Sequence, residues 1–219
     1  MISERHRELN ANLHARKRWG GGGYRHAPMV RYLLDQYVVK SVLDFGCGLR
    51  TLGNNLTGKD KQGEEVRGLI WTDYDPAFPA FSTLPDSADL VVCTHVLEHV
   101  EPEFLDETIA TIFRIARLAV YIAVPSGPAN TVLPDGRNAH LTCQPPGWWL
   151  AKFEAYCQVQ MREGEGGRKR DETRFICTSR LLSVSGTRGP ARSGKRSKSK
   201  RTGTRTTTTS RRSSAGTKT

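Results

Sequence analysis

Residues 42–48 read VLDFGCG, a short apolar run that ends in Gly-x-Gly. No other segment restricts the fold as strongly. Glycine adopts positive φ without steric cost and lets neighbouring groups approach the main chain, so a strand entering Gly-x-Gly turns sharply and exposes backbone N–H groups. A strand, a glycine turn and a following helix make the opening unit of an open parallel α/β sheet, in which ligands collect outside the carboxyl ends of the strands.

The rest of the chain fits that unit. Val30, Leu33, Leu34 and Tyr37 form the apolar stripe of a helix over residues 27–37, with Pro28 in its first turn. A polar N-terminal helix over residues 1–19 precedes it and is broken by the glycines at 20–23. Strands are expected at 42–45, 66–74, 89–93 and 119–124, and a helix at 103–116. The run AVYIAV at 119–124 has the unbroken apolar character of a strand covered on both faces. A helix near 148–156 and two closing strands, 157–162 and 174–179, complete the pattern. The expected fold is therefore α/β: a Rossmann-like, mostly parallel sheet with helices on both faces and an antiparallel hairpin at one edge.

A ligand cradled by Gly-x-Gly needs an acidic side chain at the end of the next strand to accept hydrogen bonds from ribose hydroxyls. Asp75, in WTDYDP, stands 27 residues after Gly48; Asp73 is the alternative. The polar loop at 57–65 accounts for a spacing longer than the usual ~20.

At these residues the chain resembles the class I S-adenosylmethionine-dependent methyltransferases. VLDFGCG is similar to their first motif, YDP to the acidic end of their second strand, and DLVVCTHVLEHVEP to their fourth strand and the helix start after it. NTVLPDGRNAH followed by PPGWW is similar to small methyltransferase-like proteins of bacteriophages. The resemblance implies S-adenosyl-L-methionine as cofactor, with Asp44, Gly46, Cys47 and Gly48 along its methionine end, Asp75 on the ribose, and Thr94, His95 and Leu97 beside the sulfonium. Two departures stand out: Arg50 occupies the place of a third glycine, and only 13 residues separate Asp75 from Asp89, too few for the usual helix–strand–helix insertion.

His95, Glu98 and His99 also fit H-x-x-E-H, a zinc-peptidase pattern when carried on one helix. Its position directly after the strand DLVVC argues against a long helix there, and no metal is expected.

The acceptor is sought after the last central strand, where PDGRNAH concentrates ionisable groups. His140 is a candidate general base, and Arg137 a candidate clamp for phosphate or carboxylate. A plain Asp135-Gly136 turn with Arg137 paired on the surface is the structural alternative. Trp148 and Trp149 are able to stack on a planar substrate, but at the start of an amphipathic helix they are expected in the core.

The formal charge of +11 belongs to the C-terminus: from Ser185 onward there are eleven Lys and Arg and no Asp or Glu. The expected division is a methyltransferase-like domain over 1–183 and a disordered Ser/Thr/Lys/Arg-rich tail over 184–219, a candidate for salt-sensitive nucleic-acid contact. Five scattered cysteines without a CxxC pair, no signal-like apolar N-terminus and no run long enough to span a membrane lead to the expectation of a cytoplasmic protein, in the host cytoplasm if phage-encoded. The expected activity is methyl transfer to a small molecule, nucleotide or nucleic acid. A catalytically inactive nucleic-acid-binding protein of the same fold is the alternative, and a zinc hydrolase the more distant one.

Overall fold

The computed structural model describes residues 2–15, 19–56, 68–163 and 172–178, all within one compact unit, Met1–Ser185. The expected loop at 57–65, the start of the second strand at 66–67 and the tail at 184–219 lie outside the described residues.

Six strands form one sheet: β1 (Ser41–Phe45), β2 (Ile70–Tyr74), β3 (Ala88–Thr94), β4 (Ala116–Pro125), β5 (Gln158–Glu163) and β6 (Glu172–Thr178). Their order is β2-β1-β3-β4-β6-β5. The first four are parallel, whereas β6 runs antiparallel to both β4 and β5, which gives the expected antiparallel edge. The direction of winding reverses between β1 and β3, and the crevice outside their carboxyl ends is the usual ligand position in such sheets.

Alternation along the strands builds two cores. Leu43, Val91, Cys93, Ile122 and Val124 face one side, under helices α4 (Pro102–Ile115) and α5 (Pro146–Glu154). Val42, Leu90, Val92 and Tyr121 face the other, under α2 (Ala27–Gln36) and α3 (Thr51–Leu56). Trp149 and Phe153 are fully buried in the first core, which is the structural role expected of Trp149.

Helix α1 (Glu4–His14) is shorter than its polar stretch suggests. It begins at Ser3, whose hydroxyl caps the N–H of His6. Ser3 also donates through its N–H and its hydroxyl to the two oxygens of Glu101, at 2.7 and 2.8 Å, which ties α1 to the start of α4. Between β2 and β3 the described chain holds no strand, only a 3₁₀ turn at Pro79–Phe81. Among the described residues no helix is long and apolar enough to cross a membrane.

Candidate functional site

A cavity of about 1050 Å³ opens at the carboxyl ends of β1, β2 and β3. Its floor is the glycine turn. Gly46 and Gly48 have φ of +80° and +50°, which is why glycine stands at both. Their missing Cβ atoms also leave room for protein: a Cβ on Gly46 would lie 2.3 Å from Val96 Cγ2, and one on Gly48 2.6 Å from the Gly20 carbonyl. The N–H of Leu49 donates to that same carbonyl at 3.1 Å. The glycines at 20–23, expected only to break a helix, thus pack against the turn and line the cavity with Trp19, Tyr24 and Arg25.

Arg50 also has positive φ, +59°, the conformation that makes glycine the usual choice at its position. Its side chain points away from the cavity. Nε donates to Asp73 Oδ2 at 2.6 Å, and the guanidinium lies over the Phe81 ring at 4.8 Å. Asp73 is further engaged by Trp71 Nε1 at 2.8 Å and stands outside the cavity wall, so Asp75 is the acid that faces it.

Asp75 is buried and oriented by two main-chain donors, Gly48 N–H at 3.1 Å and Ala77 N–H at 2.9 Å. Ionised carboxylate oxygens accept about four hydrogen bonds in all, so capacity remains toward the cavity. His14, from α1, brings Nε2 to 3.6 Å of Asp75 Oδ2 and packs its ring on Phe78. Burial lowers the His14 pKa against the pull of Asp75, which favours the neutral imidazole.

Asp44 is buried on the same floor, and its Oδ2 has no hydrogen-bond partner. Burial, with the nearby charges of Asp73 and Asp75, pushes its pKa up to about 8. A carboxyl left bare in this way suits a cationic group of a ligand. Cys47 lies beside it, its thiol held well above the usual range by burial and the same carboxylates.

Thr94 and His95 line the cavity at the end of β3, but Leu97, expected next to them, is fully buried in the apolar core and stands off the wall. His95 has positive φ, +56°, which turns its ring between two carboxylates: Nε2 lies 2.8 Å from Glu172 Oε2 and Nδ1 3.4 Å from Glu98 Oε1. Burial opposes its charge, yet the hydrogen bond to Glu172 and the neighbouring Glu98 carboxylate outweigh that and raise its pKa to about 9.

His140 also lines the cavity. Its Nδ1 lies 2.6 Å from the Gly127 carbonyl, and His99 Nδ1 lies 2.7 Å from the Ala139 carbonyl. Donation to these carbonyls leaves both Nε2 lone pairs free. With Glu98, fully buried and without hydrogen-bond partners on either oxygen, they form a donor set able to hold a divalent cation. Glu98 and His99 lie within a 3₁₀ turn, Leu97–His99, and the helix that a zinc-peptidase arrangement needs is not formed there. Arg137, expected as a clamp, instead pairs with Asp135 at 2.9 Å on the exposed loop and does not reach the cavity.

No protein-family model and no curated protein matches this sequence. Solved structures do match it. An O-methyltransferase family protein from Burkholderia thailandensis superposes with a TM-score of 0.51 at 15% identity, over 70% of this chain and 56% of its own. The methyltransferase domain of bacterial CtHen1-C gives 0.50 at 17% identity, over 70% of this chain and 96% of its own. The 1,6-didemethyltoxoflavin-N1-methyltransferase of B. thailandensis, solved with 1,6-didemethyltoxoflavin and S-adenosylhomocysteine, gives 0.50 at 14% identity, over 73% and 79%. The shared feature is the Rossmann-like methyltransferase fold.

Proposed function

We propose that this chain binds S-adenosylmethionine in the cavity above residues 44–48 and transfers its methyl group to an acceptor held on the His140 side. The observation that carries the reading is the pair of buried carboxylates, Asp44 and Asp75, on either side of the glycine turn at the sheet's switch point. Asp44, with a bare oxygen, meets the α-ammonium, and Asp75 accepts the ribose hydroxyls. Thr94 and His95 stand at the end of β3 next to the methyl-bearing centre. The bound cofactor supplies an electrophilic methyl group on a sulfonium. The cavity is at the upper end of the ~300–1,000 Å³ usual for ligand sites, room enough for cofactor and acceptor together.

On the acceptor side, His140 Nε2 is free to take a proton, with Trp19, Asn130 and Thr131 around it. A second reading of this side is that Glu98, His99 and His140 hold a divalent cation, favoured by the buried carboxylate that lacks any hydrogen bond. One fold relative was solved with 1,6-didemethyltoxoflavin bound; the acceptor proposed for this chain is a small molecule, a nucleotide or a nucleic acid. The basic residues after Ser185 are the candidate nucleic-acid contact. Arg50, at the place of a third glycine, turns its side chain to Asp73 and Phe81 and leaves the cradle open, which favours the cofactor reading over a catalytically inactive binder.

Calorimetry of the full chain with S-adenosylhomocysteine tests the proposal. One site per chain is expected, lost in Asp75→Ala; no heat in the unaltered protein refutes it. Salt-dependent DNA binding that persists without residues 186–219 would refute a role for the tail.

A further inference from the structure

His26, at the entry to α2, His95, just past β3, and Glu172, at the start of β6, come from three distant parts of the chain. The structure brings one atom from each, two imidazole Nε2 and one carboxylate oxygen, within 4.8 Å of one another. His95 Nε2 lies 2.8 Å from Glu172 Oε2, and His26 Nε2 lies 4.0 Å from that same oxygen.

Each of the three is held from behind. His26 Nδ1 lies 3.0 Å from the Tyr121 hydroxyl, His95 Nδ1 3.4 Å from Glu98 Oε1, and Glu172 Oε1 accepts from Arg174 Nε at 2.6 Å. Metal-binding histidines characteristically have their second nitrogen oriented in this way, which fixes the tautomer and the ring.

His26 carries the argument furthest. It is 2% exposed, and its Nε2 has no partner. In either tautomer that nitrogen is unsatisfied, since 4.0 Å to Glu172 is too long for a hydrogen bond. A buried polar atom left bare costs about 1–3 kcal/mol. Donation of Nδ1–H to Tyr121 leaves a lone pair on Nε2 facing the Glu172 carboxylate. A cation between them satisfies both.

We propose that His26, His95 and Glu172 form a divalent-cation site, with ligands different from those of the adjoining Glu98, His99 and His140 cluster and sharing His95 with the cofactor reading. Two imidazoles and one carboxylate suit a borderline ion such as Zn²⁺ or Co²⁺, and the cavity, which His95 and Glu172 line, supplies an open position. Tetrahedral ligands at ~2.0–2.1 Å stand roughly 3.3 Å apart. Binding therefore displaces the proton between His95 Nε2 and Glu172 to solvent, opens that contact slightly and draws His26 inward, the last two within side-chain adjustment.

Co²⁺ is the probe, added to the chelator-treated full-length chain and followed by its visible absorption. Expected are intense bands saturating at one Co²⁺ per chain, abolished in His26→Gln and in His95→Gln and retained in His140→Gln. Tyr121→Phe, which removes the hydroxyl that orients His26, weakens binding roughly 10- to 100-fold. Absence of bands, their survival in His26→Gln, or their loss in His140→Gln overturns the proposal. Should buried His26→Gln fail to fold, His95→Gln and Glu172→Gln decide, with thermal melting as the check that they fold. S-adenosylhomocysteine binding, measured separately in Glu172→Gln and in Asp75→Ala, distinguishes failure of the cation site from failure of the cofactor reading.

Discussion

Binding of S-adenosylhomocysteine at pH 7 should expel a proton from Asp44. Burial and the charges of Asp73 and Asp75 hold this carboxyl at about 8, so the free protein carries roughly 0.9 proton there at neutral pH. An ammonium placed against the bare Oδ2 favours the ionised form, and an opposite charge at ~4–6 Å lowers a carboxyl pKa by about 1–3 units. A value between about 5 and 7 in the complex corresponds to release of roughly 0.4 to 0.9 proton. Titration calorimetry in Tris and in phosphate reads this directly, because the slope of observed heat against buffer ionisation enthalpy is the number of protons released. Asp44→Asn should bring the slope to zero. A flat slope in the unaltered protein, or an unchanged slope in the variant, refutes the placement of the ammonium. The same shift has a signature without ligand. The folded value lies above the ordinary 3.8, so the stability linked to this proton is complete below about pH 4 and is lost as pH rises through about 8. Asp44→Asn should therefore gain on the unaltered protein in melting temperature from pH 4 to pH 8.

Three further outcomes follow from the site. At 100 times Kd, S-adenosylhomocysteine should stabilise the chain by about 2.7 kcal/mol, a melting shift of roughly 5–11 °C, and Asp75→Ala should abolish it; a shift of the same size in that variant removes Asp75 from the site. Gly46→Ala meets Val96 Cγ2 at 2.3 Å on a backbone at φ +80°, so it should cost about 2–5 kcal/mol in denaturant titration, and Val96→Ala added to it should recover the packing part; no recovery means that the contact is not the cause. Arg50→Gly should change stability by no more than about 1 kcal/mol, since relief of the φ +59° strain offsets the exposed Asp73 pair and the Phe81 contact, and cofactor affinity should be unchanged; a tenfold loss would put the guanidinium in the site.

What the sequence made legible is what local chemistry decides. VLDFGCG had to be strand then turn, and AVYIAV had to be a buried strand, because period and glycine placement are properties of a few adjacent residues. Asp44, Asp75 and Thr94 lie at or beside strand ends, a position that spacing reveals, and they line one cavity with His140, which stands on the long loop after β4. Arg137 was misplaced because a turn residue two positions after Asp135 pairs locally before it can reach a ligand. Leu97 went to the core because the chain after His95 turns within three residues, a bend that spacing alone does not reveal. His26 and Glu172 had no local signal at all. Glu172 reaches the site only because β6 pairs antiparallel to β4 with Glu172 opposite Pro125, at the carboxyl end of that strand.

The short link between β2 and β3 and the long N-terminal segment are two sides of one arrangement. Without the helix–strand–helix insertion that the family resemblance leads one to expect, the Asp75 side of the cavity needs another wall. Helix α1 supplies it: Ser3 is fastened to Glu101, His6 Nε2 meets the His99 carbonyl at 2.7 Å, and His14 lies between Asp75 and Phe78. The glycines at 20–23 then return the chain to the turn at Gly48 closely enough that no side chain fits between them. A mostly polar helix is thus held by hydrogen bonds together with a small apolar cluster of Leu13 with Leu133 and Ala139, and the glycines that follow it pack on the turn that forms the cavity floor. The four-glycine run is in this sense the second half of the first motif, separated from it by about one helix of sequence and joined to it through space.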